Sequence, residues 1–209
     1  RRITGEIGAF LIFDEVITGF RLAPGGAQEF YGVIPDVSTY GKVAGGGLPF
    51  GAVGGTAEAM RLMEYDTEPG SILMAGTFNG NPLVIAAGTA VLQRLNAEPQ
   101  LYTLLNAMGE RFRAEINQYA QEEDYPAIAT GVGSMFWMHT SRGPIKSVRD
   151  ARQGDRFASP GLRLLYRKNG LHIPPNHGFM CTAHTDEDIT QLIEIHQAAM
   201  EELRAQGVW

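Results

Sequence analysis

A chain of 209 residues with 17 Lys and Arg against 23 Asp and Glu carries a formal net charge of −6. That balance argues against nucleic acid or an anionic membrane as partner, because both are gripped by a basic face. Hydrophobic residues make up 44%, as in ordinary globular proteins. No apolar run approaches the roughly 20 residues that span a bilayer. The single cysteine, Cys181, permits no intrachain disulfide, so a buried structural thiol and a cytoplasmic location are expected.

The run Ala9-Phe10-Leu11-Ile12-Phe13 has no alternation, the pattern of a strand covered on both faces in a parallel sheet. It ends in Asp14-Glu15. Open α/β sheets hold ligands beyond the carboxyl ends of their strands, so both acids stand where a cofactor would be met. A turn cluster, Ala23 to Gly26, and a short helical piece, Gln28 to Tyr31 ended by Gly32, precede a second strand predicted over Val37 to Tyr40.

Gly41-Lys42 breaks that strand just before Gly45-Gly46-Gly47. A lysine amine forms a Schiff base with an aldehyde, and a carboxylate beside a pyridinium nitrogen makes pyridoxal phosphate an electron sink. Lys42 and either Asp14 or Glu15 are therefore candidates for that chemistry. Alone, each has a plainer reading, as a solvated loop lysine or a turn acid. Lys42 stands between Tyr40 and Val43 with glycines nearby, a setting expected to desolvate the amine and lower its pKa. Neither G-x-G-x-x-G nor G-x-x-x-x-G-K-[ST] occurs in its strand-to-helix setting, which excludes the common nucleotide cradles.

Further on, Ala57 to Tyr65 has helical spacing, and Asp66 to Ser71 is a polar loop. The turn-rich Gly76-Thr77-Phe78-Asn79-Gly80 leads to Asn81-Pro82, with proline at the first position of a helix. That helix, Leu83 to Leu95, is apolar nearly all round and is expected to be buried. Asn96 to Gln100 is the best internal boundary. An amphipathic helix from Leu101 to Gln121, a strand near Val132 to His139 and a helix from Ser159 to Asn169 capped by Gly170 follow. Leu171 to Pro175 and Phe179 to Ala183 read as short strands. A last helix starts at Thr185, with Asp188 completing a capping box. The five histidines show no metal spacing, and Arg21 or Arg163 is a candidate fork for a carboxylate.

Asp14-Glu15-Val16, Thr18-Gly19-Phe20-Arg21, Pro35-Asp36, Gly41-Lys42, Gly45-Gly46-Gly47 with Pro49 and Gly51, and Gly76 through Pro82 stand in the order of a known family. Together they resemble the class III aminotransferases, in particular the branch of glutamate-1-semialdehyde 2,1-aminomutase and the β-amino-acid aminotransferases. The resemblance implies an α/β chain of fold type I among pyridoxal-phosphate enzymes. Residues 1–98 would be the C-terminal part of the large cofactor-binding domain, with a mostly parallel sheet, and 99–209 the small α+β C-terminal domain. It implies pyridoxal 5'-phosphate as cofactor, Lys42 as Schiff-base lysine and proton shuttle, Asp14 as partner of the pyridinium nitrogen and Val16 against one ring face. Thr77 would contact the phosphate of the neighbouring subunit's cofactor, in a homodimer with shared sites. Many relatives carry glutamine where this chain has Ile17.

An upstream segment of similar length, with the first sheet strands and the main phosphate loop, is also expected. The implied activity is amino-group transfer between an amine or amino acid and a keto acid or aldehyde. The alternative is an aminomutase-like internal shift, and a non-catalytic partner or regulatory module comes third. Asn176-His177-Gly178 stands where the aminomutase branch carries an acidic residue, which puts two-substrate transfer first.

Overall fold

The computed structural model describes residues 1–64, 72–173 and 176–209. They divide into two units, Arg1–Tyr102 and Thr103–Trp209.

The first unit opens with a short helix, α1 (Arg2–Glu6). Its sheet has the order β1 (Ile12–Asp14), β2 (Val37–Gly41), β3 (Gly51–Gly55). β1 and β2 run parallel, with Asp14 opposite Thr39. β2 and β3 run antiparallel, with Gly41 opposite Gly51. The mostly parallel sheet expected from the resemblance is thus one parallel pair and one antiparallel pair here. The cause is local: Gly46 and Gly47 take left-handed φ of 60° and 89°, so the chain reverses between Lys42 and Phe50, too short a stretch for the crossover a parallel return needs.

Burial of the first strand departs from expectation too, since Phe10 is 57% and Ile12 61% exposed. Among the described residues, the buried hydrophobic side chains of this unit are Leu22, Ala44 and Tyr102. Between β1 and β2 lies α2 (Gly26–Tyr31), stopped by left-handed Gly32. The helix predicted from Ala57 is α3 (Ala57–Met60) followed by a 3₁₀ turn, Arg61–Met63, and the loop predicted over Asp66 to Ser71 lies outside the described residues.

Helix α4 (Pro82–Ala97) begins as its sequence predicts, with Pro82 in the first turn and the Asn81 side chain accepting from the Leu83 and Val84 amides. It is not buried all round: Leu83 is 68% and Ile85 49% exposed, and only Gly88 is buried. That glycine marks its seam. A Cβ on Gly88 would stand 2.5 Å from the Ala44 carbonyl oxygen, and one on Gly46 2.7 Å from that of Ala87. Backbone therefore lies directly on the 3₁₀ turn Lys42–Gly45.

The second unit holds the core. Antiparallel β4 (Ile128–Thr130), β5 (Met135–His139) and β6 (His177–Phe179) form a sheet in that order. Phe136 and Met138 from its inner face join Phe112 and Ile116 of α5 (Gln100–Glu122), Leu162 and Tyr166 of α7 (Ala158–Lys168), and Ile193, Met200 and Leu203 of α8 (Asp186–Ala205). Strand β4 and the short helix α6 (Val148–Ala151) have only three and four residues, too few for periodicity to reveal. Leu171 to Ile173 form no strand, Pro174 and Pro175 lie outside the described residues, and β6 starts earlier than expected. Gly170 ends α7 with φ of 82°. Thr185 and Asp188 form the predicted capping box. Cys181 is exposed rather than buried, because it falls just after β6, beyond the inner face of the sheet.

His196 is a core histidine. It lies against Tyr166 and Phe112 with ring centroids 4.4 and 4.9 Å away, and its Nδ1 donates to the Leu192 carbonyl at 2.7 Å. Burial pushes its pKa from 6.5 down to about 4. The unfolded chain therefore binds the proton first on acidification, and this residue makes stability fall as pH drops through that window. The expected loss is about 2 kcal/mol between pH 7 and pH 5. Denaturant unfolding at the two pH values measures it, and His196→Leu should flatten the difference.

Candidate active site

Because β1 and β2 are adjacent and parallel, their carboxyl ends lie together. Asp14 is the last residue of β1, and Lys42 follows the last residue of β2. The Thr39 hydroxyl donates to Asp14 Oδ1 at 2.9 Å, and the Val16 amide donates to the same oxygen at 3.1 Å. Among the described residues nothing donates to Oδ2. The Val16 amide, then the Thr39 hydroxyl, hold the carboxyl below the usual carboxylate range, with a smaller contribution from the charge of Lys42. Asp14 is thus an anion at neutral pH with one oxygen fixed and the other open.

Lys42 has φ of 47°, a left-handed conformation that costs a residue with a Cβ roughly 1–2 kcal/mol. Strain of this kind clusters at functional positions. The side chain is exposed, so the enclosure between Tyr40 and Val43 expected to desolvate it is not supplied by these residues. Tyr40 is held by Gln28, whose Nε2 donates to its hydroxyl at 2.9 Å. Val16 lies over Gly41, where an added Cβ would meet its Cγ1 at 3.4 Å. Asp14, Val16 and Lys42 thus share one end of the sheet.

Glu15, the other candidate acid, has a different task. It is 1% exposed and accepts from Thr18 Oγ1 at 2.5 Å, the Ala27 amide at 2.9 Å and the Gln28 amide at 2.9 Å. Both oxygens therefore cap the first turn of α2 and fasten it to the end of β1. Glu15→Ala is expected to cost roughly 2 kcal/mol by leaving two part-buried amides without their capping acceptor, read as a lower urea midpoint.

Thr77 is exposed in the turn before α4, and among the described residues no hydrogen bond links it to Asp14, Val16 or Lys42. Ile17 is exposed beside them. Arg21 follows the Thr18 turn, its amide donating to the Thr18 carbonyl at 3.1 Å. Sequence reasoning missed Thr39 and the capping role of Glu15. The signal for Thr39 was strand register, which places it opposite Asp14 three residues before Lys42.

The sequence signature of the family described as Aminotransferase class-III matches residues 1–177. The chain belongs to the class-III aminotransferase family. Glutamate-1-semialdehyde 2,1-aminomutase of Methanobrevibacter smithii is 43% identical over 206 residues, covering 96% of this chain and 47% of that relative. The chain spans about half the length of the curated relatives it matches. Among solved structures, a β-phenylalanine aminotransferase from Variovorax paradoxus is 32% identical with a TM-score of 0.88, covering 98% of this chain and 47% of that one. An omega-transaminase from Sphaerobacter thermophilus is 31% identical with a TM-score of 0.84, covering 97% and 46%.

In the second unit of this class-III aminotransferase chain, Arg163 lies half-buried on α7. Asn176 is buried with φ of 58°, and its Nδ2 donates to Ser159 Oγ at 2.6 Å. His177 stacks on Trp137, centroids 4.6 Å apart. Among the described residues no cluster of histidine, cysteine and acids suits a metal ion, and no helix is long and apolar enough to cross a membrane.

Proposed function

We propose that the protein carrying this chain moves an amino group on pyridoxal 5'-phosphate, with Lys42 and Asp14 as the working groups. The observation that carries this reading is that two parallel strand ends bring an ionised carboxylate together with a lysine held in a strained conformation. The donor set fits the cofactor: an anionic acceptor for a protonated ring nitrogen, an apolar side chain beside it for a ring face, and a primary amine for an aldehyde. When bound, pyridoxal phosphate supplies a sink for the electron pair left on a substrate carbon that loses a proton.

Asp14 Oδ2 would hold the ring nitrogen and favour its charged state. Val16 would lie against the ring. Lys42 Nζ would hold the aldehyde carbon covalently and, released by the substrate's amine, take and return a proton as a general base and acid. Thr77 would grip a phosphate in the partner's site of a homodimer. A dianionic phosphate needs several charge-assisted donors, so chain beyond these 209 residues would supply the rest and cover Phe10 and Ile12. Residues 1–209 expressed alone should then aggregate or bind cofactor weakly; a soluble monomer with tight binding contradicts this.

For the substrate, the relatives favour the internal shift over the two-substrate transfer placed first from Asn176-His177-Gly178. The support is the 43% identity to an aminomutase, against 31–32% for the solved transaminases. The holoprotein should therefore convert glutamate-1-semialdehyde with no added keto acid. Turnover that appears only when an amine and a keto acid are both present would favour two-substrate transfer, to which the solved transaminases at 31% and 32% identity point. A non-catalytic module is disfavoured by the joint presence of Asp14 and Lys42.

A further inference from the structure

A carboxylate works as a ring-nitrogen partner only if one oxygen is aimed. The χ2 torsion of an aspartate is broad and roughly two-fold, so an exposed Asp14 would otherwise swing. Two donors converge on Oδ1. One, the Val16 amide, comes from the loop that directly follows Asp14. The other, the Thr39 hydroxyl, comes from the neighbouring strand. Thr39 is itself fixed by its backbone, since its carbonyl accepts from the Glu15 amide at 2.9 Å and it pairs with Val53 on its other side. A β-branched residue in a strand also has few χ1 choices, so its hydroxyl points with little freedom.

We propose that Thr39 is a positioning residue for Asp14: its hydroxyl pins Oδ1 to β2, so that Oδ2 is the oxygen presented to the cofactor's ring nitrogen. The inference rests on the reading of Asp14 given above. It adds a reference between the two working groups, because the strand that holds the Asp14 carboxylate runs three residues later into Lys42. The Val16 amide alone supplies no such link, because it belongs to the loop that follows β1.

The test uses the holoprotein loaded with pyridoxal phosphate labelled with ¹⁵N in the ring, in wild type, Thr39→Val, Thr39→Ala and Thr39→Ser. Thr39→Val keeps the shape suited to a strand, and Thr39→Ala guards against misfit of the added methyl. Both hydroxyl-less variants should shift the ¹⁵N signal toward the unprotonated ring and slow the half-reaction with an amine about tenfold, at unchanged KM. Thr39→Ser should restore both. A purely structural role would move neither the nitrogen signal nor its rescue by serine. Ring protonation and rate equal to wild type in Thr39→Val or Thr39→Ala would overturn the inference. Asp14→Asn is measured in parallel: if it too leaves the ring nitrogen signal unchanged, the reading of Asp14 itself fails, whereas a signal lost there but kept in Thr39→Val refutes Thr39 alone.

Discussion

Lys42→Gly is expected to reduce amino-group turnover by roughly 10³- to 10⁴-fold, the scale of losing a positioned proton-transfer group that also holds the cofactor. The same substitution should leave stability unchanged or raise it by up to about 1 kcal/mol. Glycine takes the φ of 47° found at this position without a Cβ penalty, partly offset by its greater freedom when unfolded. The side chain is exposed, so little packing would be lost. Loss of activity without loss of stability is the expected signature of a residue kept for chemistry rather than folding. Added small primary amines should restore part of the half-reaction rate. A variant that is both destabilised and unrescued would indicate a structural lysine instead.

Asp14→Asn is expected to slow proton removal from the substrate roughly 10²- to 10³-fold, the scale of deleting one preorganised electrostatic partner. The amide has nearly the carboxylate's shape, so the hydrogen bonds from Val16 and Thr39 can persist at its carbonyl oxygen while the negative charge is gone. Cofactor attachment through Lys42 should survive. Single-turnover rates with α-deuterated and unlabelled amines separate the two effects: the isotope effect should grow as proton removal becomes limiting. Because the donors hold the Asp14 carboxyl below its ordinary range, no loss of rate from its protonation is expected until pH falls below about 4. An unchanged rate in Asp14→Asn would remove the residue from the mechanism.

Much of the fold was legible because its signals are local. Asn81 and Pro82 announce α4, Thr185 and Asp188 announce α8, and the spacing of Phe112 and Ile116 marks the buried face of α5. What was not legible depends on partners distant in sequence. The apolar run ending at Phe13 and the all-round apolar α4 both signal surface to be covered, but a pattern does not say which chain covers it, and here Phe10, Ile12 and Leu83 stay exposed. Asp14 and Glu15 are chemically alike neighbours, yet strand alternation sends one to the sheet end and the other into the start of α2. Thr39 was invisible for the same reason, since its role exists only in the register between β1 and β2.

On the proposed reading, Lys42 is the lysine that holds the cofactor. Reduction of the intact holoprotein with borohydride, followed by proteolysis and mass spectrometry, tests it directly. The pyridoxyl phosphate mass is expected on the peptide containing Gly41-Lys42-Val43 and on no other. The same mass on a peptide containing Lys146 or Lys168, with the Lys42 peptide unmodified, would contradict it.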